Sequence, residues 1–195
     1  DRSSLGCIAA HQKSHLKWEH PFLGHEIDGE YPVDGLIKEL KENKMVGVAS
    51  GRAEFGPRAL GNRSLLADPR GEEVKDLVNS IKKRQKFRPF APAILEEDVH
   101  EYFDLPKAVQ NTPYMQFTAA CTHGKDFPAI IHHDHTSRVQ TVRKTDNPGF
   151  HALLTEWKKQ TGCPILLNTS LNIKGQPIVN DREDGRAFTN KYGVK

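Results

Sequence analysis

The sequence is poor in the features that mark several common protein classes. Its 195 residues hold three cysteines, Cys7, Cys121 and Cys163, widely spaced and without a Cys-x-x-Cys pair. A disulfide framework or zinc knuckle is therefore not expected, and a reducing, cytoplasmic compartment is. No apolar run approaches membrane-spanning length and no signal-peptide pattern opens the chain, so a membrane partner is not expected. There is no G-x-x-x-x-G-K-[S/T] loop and no usable G-x-G-x-x-G fingerprint, which leaves a P-loop or Rossmann nucleotide site without support. Aromatic residues make up 8% and are not interleaved with basic ones, so the base-stacking ladder of a nucleic-acid-binding module is missing despite a pI near 8.7. The net charge of +3 allows an anionic ligand without demanding one.

What is present is a globular composition, 36% hydrophobic and 27% charged, at a length suited to one domain with an appendage. The opening DRSSLGCIAAHQKSH reads as the interior of a longer protein, with a short helix over 3–15. Residues 16–32, with two prolines and scattered histidines, read as a connecting loop. Apolar spacing predicts helices over 33–44, 71–84 and 147–162 and a short one in EEDVHEYF, with acids opening the second and Gly162 stopping the third. Strands are expected over 45–50, 64–68, 114–120, 138–142 and 164–168. RPFAPAIL (88–95), interrupted by prolines, reads as an edge strand or an extended crossing. The tail from about 181 is polar apart from Ala187 and Phe188. Helices and strands alternate, which predicts an α/β or α+β fold.

Four stretches carry candidate chemistry. SGRAEFGPRALGNRSLLADPR (50–70) sets Arg52, Arg58, Arg63 and Arg70 beside Glu54 and three glycines. Arginine forks bind phosphate oxygens in pairs and glycine lets backbone approach them, yet a solvated basic face with a Glu54–Arg58 pair is equally open. Lys82-Lys83-Arg84 closes the second helix, with Arg88 just beyond; cations are favourable at a helix C-terminus in any case. LLNTSLNIKGQP (166–177) runs from a buried strand into Asn168, Thr169, Ser170 and Asn172, a place where open α/β sheets bind ligands and also a composition that suits a turn. His132-His133-Asp134-His135 and the His11/His15 pair contain metal-binding types, but consecutive strand residues face opposite ways and no third ligand accompanies the helical pair, so no metal site is expected.

Taken together, GRAEFGPRALGNRSLLADPR, IKKRQKFRPFAP, HDHTSRVQTV and NTSLNIKGQPIV resemble, in that order, the C-terminal domain of the O-carbamoyltransferase family that includes nodulation protein U and antibiotic-tailoring enzymes. The resemblance implies a YrdC-like fold, an open twisted mixed sheet flanked by helices, over 33–195. Residues 1–32 would be a remnant helix and linker from a preceding actin/Hsp70-like acceptor domain, which in the family carries iron. The family's Lys-x-Arg and Ser-x-Asn pairs fall on Lys82/Arg84 and Ser170/Asn172, with Lys86/Arg88 as an alternative register for the first. The implied activity is the activation half of an O-carbamoyltransferase: carbamoyl adenylate made from ATP and carbamoyl phosphate, with Mg²⁺ accompanying the nucleotide, for transfer to a hydroxyl in the preceding domain. Arg58, Lys82 and Arg84 are expected as catalytic groups. Arg52, Glu54, Arg63, Arg88, Arg138, Asn168, Ser170 and Asn172 are expected to bind substrate, Glu54 by orienting an arginine. His133 and His135 stand where the family has valine and glycine, which puts Asp134 in a crowded loop. Competing expectations are a threonylcarbamoyl-adenylate enzyme of tRNA modification, against which GRAEFGPRALGNRS argues, and a non-catalytic nucleic-acid-binding module.

Overall fold

The computed structural model describes residues 21–85, 87–88, 90–106 and 108–195. The helix expected over 3–15, with His11, His15 and Cys7, lies outside the described residues, as does Lys86.

A five-stranded mixed sheet forms the centre, built from β2 (Met45–Ala49), β4 (Arg63–Ala67), β5 (Ala91–Leu95), β9 (Gln140–Val142) and β10 (Ile165–Ser170) in the order β2-β4-β10-β5-β9. Every pairing is antiparallel except β5 with β9. β4 and β5 are buried along their whole length, as strands covered on both faces must be, and both lack alternating polar residues. β1 (Phe22–Ile27) and β3 (Gly51–Glu54) make a separate ribbon; β6 (Phe103–Asp104), β7 (Thr118–Cys121) and β8 (Thr136–Arg138) make a small third sheet.

The helices are α1 (Val33–Asn43), α2 (Glu72–Lys82), α3 (Val99–Tyr102), α4 (Pro148–Thr161) and α5 (Arg182–Tyr192). α1 buries Leu36, Ile37 and Leu40 and packs on α4 and β2. α4 begins where Asn147 Oδ1 accepts the Phe150 N–H ahead of Pro148, and ends at Gly162 in the left-handed conformation. Its Phe150, Leu153, Leu154 and Trp157 enter the core against β5 and β10.

Several expectations are corrected. Residues 22–27, read as part of a loop, form β1, whose partner is the polar strand Gly51–Glu54. RPFAPAIL is not at an edge: β5 lies between β10 and β9, and Pro92 is accommodated because the β9 ladder begins one residue later, at Ala93. RVQTV is two strands in two sheets, broken at Val139. Only the end of 114–120 is strand, since Met115 takes a left-handed turn at φ 55°. The polar tail forms α5, capped by Asp181, whose carboxylate accepts the Glu183 and Asp184 N–H groups. Among the described residues no helix is long and apolar enough to cross a membrane.

Candidate anion-binding site

Lys82 is not at an exposed helix end, as its place in a basic run suggested. It follows Val74 and Val78 at four-residue steps on the inward face of α2, and only 5% of it is exposed. That spacing was the available sequence signal. Its ammonium donates to the Ser170 carbonyl (2.5 Å), Ser170 Oγ (3.1 Å) and Asn172 Oδ1 (2.7 Å). Ser170 Oγ in turn donates to Asn172 Oδ1 at 2.7 Å, and Asn172 Nδ2 holds the Gln176 carbonyl. The two short motifs, 88 residues apart in sequence, thus form one unit. All three acceptors are uncharged. Burial first, and then the neighbouring Arg84, push the Lys82 ammonium down to about 7.

Arg84 leaves the helix end with its Nε on Asn79 Oδ1 (2.8 Å) and its guanidinium carbon 3.9 Å from the Phe90 ring centre. Burial, then Arg88 and Arg138, bring it down to about 10. Arg138 is also lowered, by burial and then by Arg58 and Arg88, and its buried Nε has no hydrogen-bond partner among the described residues. Arg58, Arg138, Arg88, Arg84 and Lys82 therefore form a chain of mutually repelling cations. An open cleft of about 260 Å³ lies over one end, lined by Lys82, Arg84, Gln85, Arg88, Ser170, Asn172, Ile173, Lys174 and Gly175. Four of these are basic and none is acidic. Lys174 and Gln85 were not anticipated; the Lys174 N–H binds the Lys82 carbonyl at 3.0 Å.

The arginine-rich stretch divides. Arg58 is exposed and belongs to the cationic chain. Arg63, also expected to line the pocket, is 1% exposed, and its guanidinium is taken up by the carbonyls of His25, Ser50, Gly51, Asn62 and Asn180. It ties β1, the β2–β3 junction and the segment before α5 together. Arg52 pairs with Glu26 across the ribbon at 2.8 Å. Arg70 pairs with buried Asp68 and lies over Trp157. Glu54, expected to orient an arginine side chain, instead accepts the backbone N–H groups of Leu60, Asn62 and Arg63 on Oε1. Asn168 is 1% exposed and donates to the Ala59 carbonyl and to Gln140 Oε1. Gly61 is required twice over: its φ is 120°, and a Cβ there would meet Phe150 at 2.4 Å.

Asp134 is exposed and closes a turn, Oδ1 accepting from both the N–H and the hydroxyl of Thr136. His135 in that turn has φ 59°, the left-handed conformation that glycine adopts without strain. Among the described residues no group of three or more His, Cys, Asp or Glu could hold a metal ion.

The fold is thus a mixed α/β sheet with a basic cleft at the end of a central strand, and no acidic residue is among the residues that line it. A family model described as Carbamoyltransferase C-terminus matches residues 37–195, and the chain belongs to that family. It is 48% identical over 148 residues to nodulation protein NolO of Bradyrhizobium diazoefficiens, covering 74% of this chain and 27% of that one. It is 38% identical over 196 residues to the 3'-hydroxymethylcephem-O-carbamoyltransferase of Amycolatopsis lactamdurans, covering 98% of this chain and 35% of that one. The chain therefore spans about a quarter to a third of these relatives. The family is one of enzymes. Among solved structures, full-length HypF in its phosphate- and nucleotide-bound form matches with a TM-score of 0.60 at 19% identity, over 87% of this chain and 21% of that one. The YrdC-like fold implied by the family resemblance stands.

Proposed function

We propose that this chain is the activation half of an O-carbamoyltransferase, binding ATP and carbamoyl phosphate in the basic cleft and forming carbamoyl adenylate. The single observation that supports this most is the row of cations Lys82, Arg84, Arg88 and Lys174 around one cleft without a carboxylate among its lining residues. Such a site carries uncompensated positive charge until an anion with several charges enters.

The chemistry joins two anions. Water releases carbamate from carbamoyl phosphate with inorganic phosphate as leaving group, and a carbamate oxygen then attacks the α-phosphorus of ATP, expelling pyrophosphate. Both steps bring negative oxygens together. Lys82 and Arg84 offset charge on the oxygens undergoing transfer, while Arg58, Arg88 and Arg138 hold the flanking phosphates. Ser170 and Asn172 aim the ammonium of Lys82. The cleft lining offers Mg²⁺ no carboxylate, so an ion arriving with ATP would be held by phosphate oxygens and water. The hydroxyl acceptor would sit in a preceding domain of the longer protein, where the implied iron also belongs.

The test is isotope exchange between pyrophosphate and ATP with and without carbamoyl phosphate, and with threonine plus bicarbonate as a parallel arm. Exchange that needs carbamoyl phosphate is expected. Exchange supported by threonine and bicarbonate would move the chain to the tRNA-modifying class. Tight oligonucleotide binding with a steep salt dependence and no ATP binding would make it a nucleic-acid module.

A further inference from the structure

We infer that Gln140 and Asn168 are positioning residues, a buried amide pair that fixes the Ala59–Leu60 backbone and thereby holds Arg58 within electrostatic reach of Arg138. The inference rests on the reading of Arg58 as a phosphate-binding group.

The pair bridges a whole strand. Asn168 lies opposite Ala91, and Gln140 opposite Ala93, on either side of β5. Register partners and residues two apart share a face, so all four point the same way. The two alanines leave room above β5, and the amides meet there with Asn168 Nδ2 2.6 Å from Gln140 Oε1. Each amide then reaches one carbonyl of the arginine loop: Asn168 Nδ2 donates to Ala59 (3.1 Å) and Gln140 Nε2 to Leu60 (3.2 Å). A backbone carbonyl only accepts, so both amide orientations are fixed by their targets.

Glu54 grips the same turn from its N–H side, at Leu60, Asn62 and Arg63. The chain is thus clamped by amides on its carbonyls and by a carboxylate on its N–H groups, immediately after Arg58. The pair also satisfies the Ala59 and Leu60 carbonyls, which apolar side chains would leave unpaired, although Asn168 Oδ1 is buried without a hydrogen-bond partner among the described residues. What the amides supply is a defined position for the residue just upstream. Their hydrogen bonds go to the backbone after Arg58 and to each other, and neither lines the cleft.

The test is a double-mutant cycle in the full chain, with ATP affinity measured by calorimetry and folding by circular dichroism. Gln140→Met keeps the volume and removes the amide; Gln140→Asn keeps the amide and falls short of Leu60, and serves if the first variant does not fold. Each should weaken ATP binding about tenfold in the parent, and less than about twofold when Arg58 is already alanine. Equal losses in both backgrounds, or no loss while Arg58→Ala alone weakens binding, would overturn the inference. An Arg58→Ala variant that binds ATP like the parent would instead remove the reading of Arg58 on which it rests.

Discussion

Lys82 should make ATP binding fall as pH rises, with protons taken up from solution. In the empty cleft its ammonium is held at about 7, against an ordinary 10.5, first by burial and then by Arg84. At about pH 8 most of the empty protein therefore carries neutral Lys82, and a bound phosphate restores the charge. Each pH unit lowers the observed affinity by up to about tenfold, or about 1.4 kcal/mol. The window to examine is from about pH 7.5 to about pH 9, above the last ionisation of ATP and below Arg84, which titrates at about 10. Calorimetry in two buffers of different ionisation enthalpy should register uptake of nearly one proton per ATP, and Lys82→Arg should abolish it. The empty protein must change in the opposite sense. Because the folded pKa is depressed, the unfolded chain binds the extra proton between about 7 and 10.5, so the Lys82 contribution to stability rises with pH across that interval. Over the full interval it amounts to roughly 5 kcal/mol. Lys82→Met should remove that part of the slope. Affinity that is flat over the window without proton uptake, in a protein whose Lys82→Met variant still binds weakly, would refute the desolvation argument.

Arg63→Met should destabilise the fold by about 3 kcal/mol or more, because it strands several buried carbonyls, and at a permissive temperature it should leave ATP affinity within about threefold. Urea denaturation and calorimetry separate the two effects. Glu54→Gln keeps the shape and halves the acceptor strength toward three N–H groups; a loss of roughly 1–3 kcal/mol in denaturant stability is expected. His135→Gly relieves a left-handed residue in the Asp134 turn and should stabilise by up to about 1 kcal/mol, read from a shift in the urea midpoint. Unchanged or lower stability would mean that the histidine ring contributes contacts worth as much as the strain.

Helices α1, α2 and α4 were legible because their burial follows local spacing, as with Leu36, Ile37 and Leu40 in α1, and β2, β4 and β10 because each is a short apolar run. β1 was not, since it pairs with a polar strand and buries little more than Phe22 and Ile27. Pro92 argued for an edge, and only the register of β9 explains its place inside the sheet. For the site, the family resemblance put Lys82, Ser170 and Asn172 at one cleft, but that the ammonium is buried and donates to the other two was not read. Nor were the different fates of Arg58 and Arg63. They lie five residues apart in the same basic block, and what separates them is the ring of carbonyls from residues 25, 50, 51, 62 and 180 that only the tertiary fold assembles around one of them.

That division bears on how a block such as GRAEFGPRALGNRS is to be used as a label. Most of its letters meet demands of folding: a glutamate gripping a turn, a glycine against a phenylalanine, an arginine wrapped in carbonyls. One letter, Arg58, is left exposed beside Arg138, and under the proposed function it is the one that would meet the anion. A protein could lose its chemistry through that single position and keep every other character by which the block is recognised. Conversely, a chain with a damaged block would fail first as a folded object. Under the proposed function, family membership and catalytic competence are recorded at different residues, the second at Arg58, Lys82, Arg84 and Arg138.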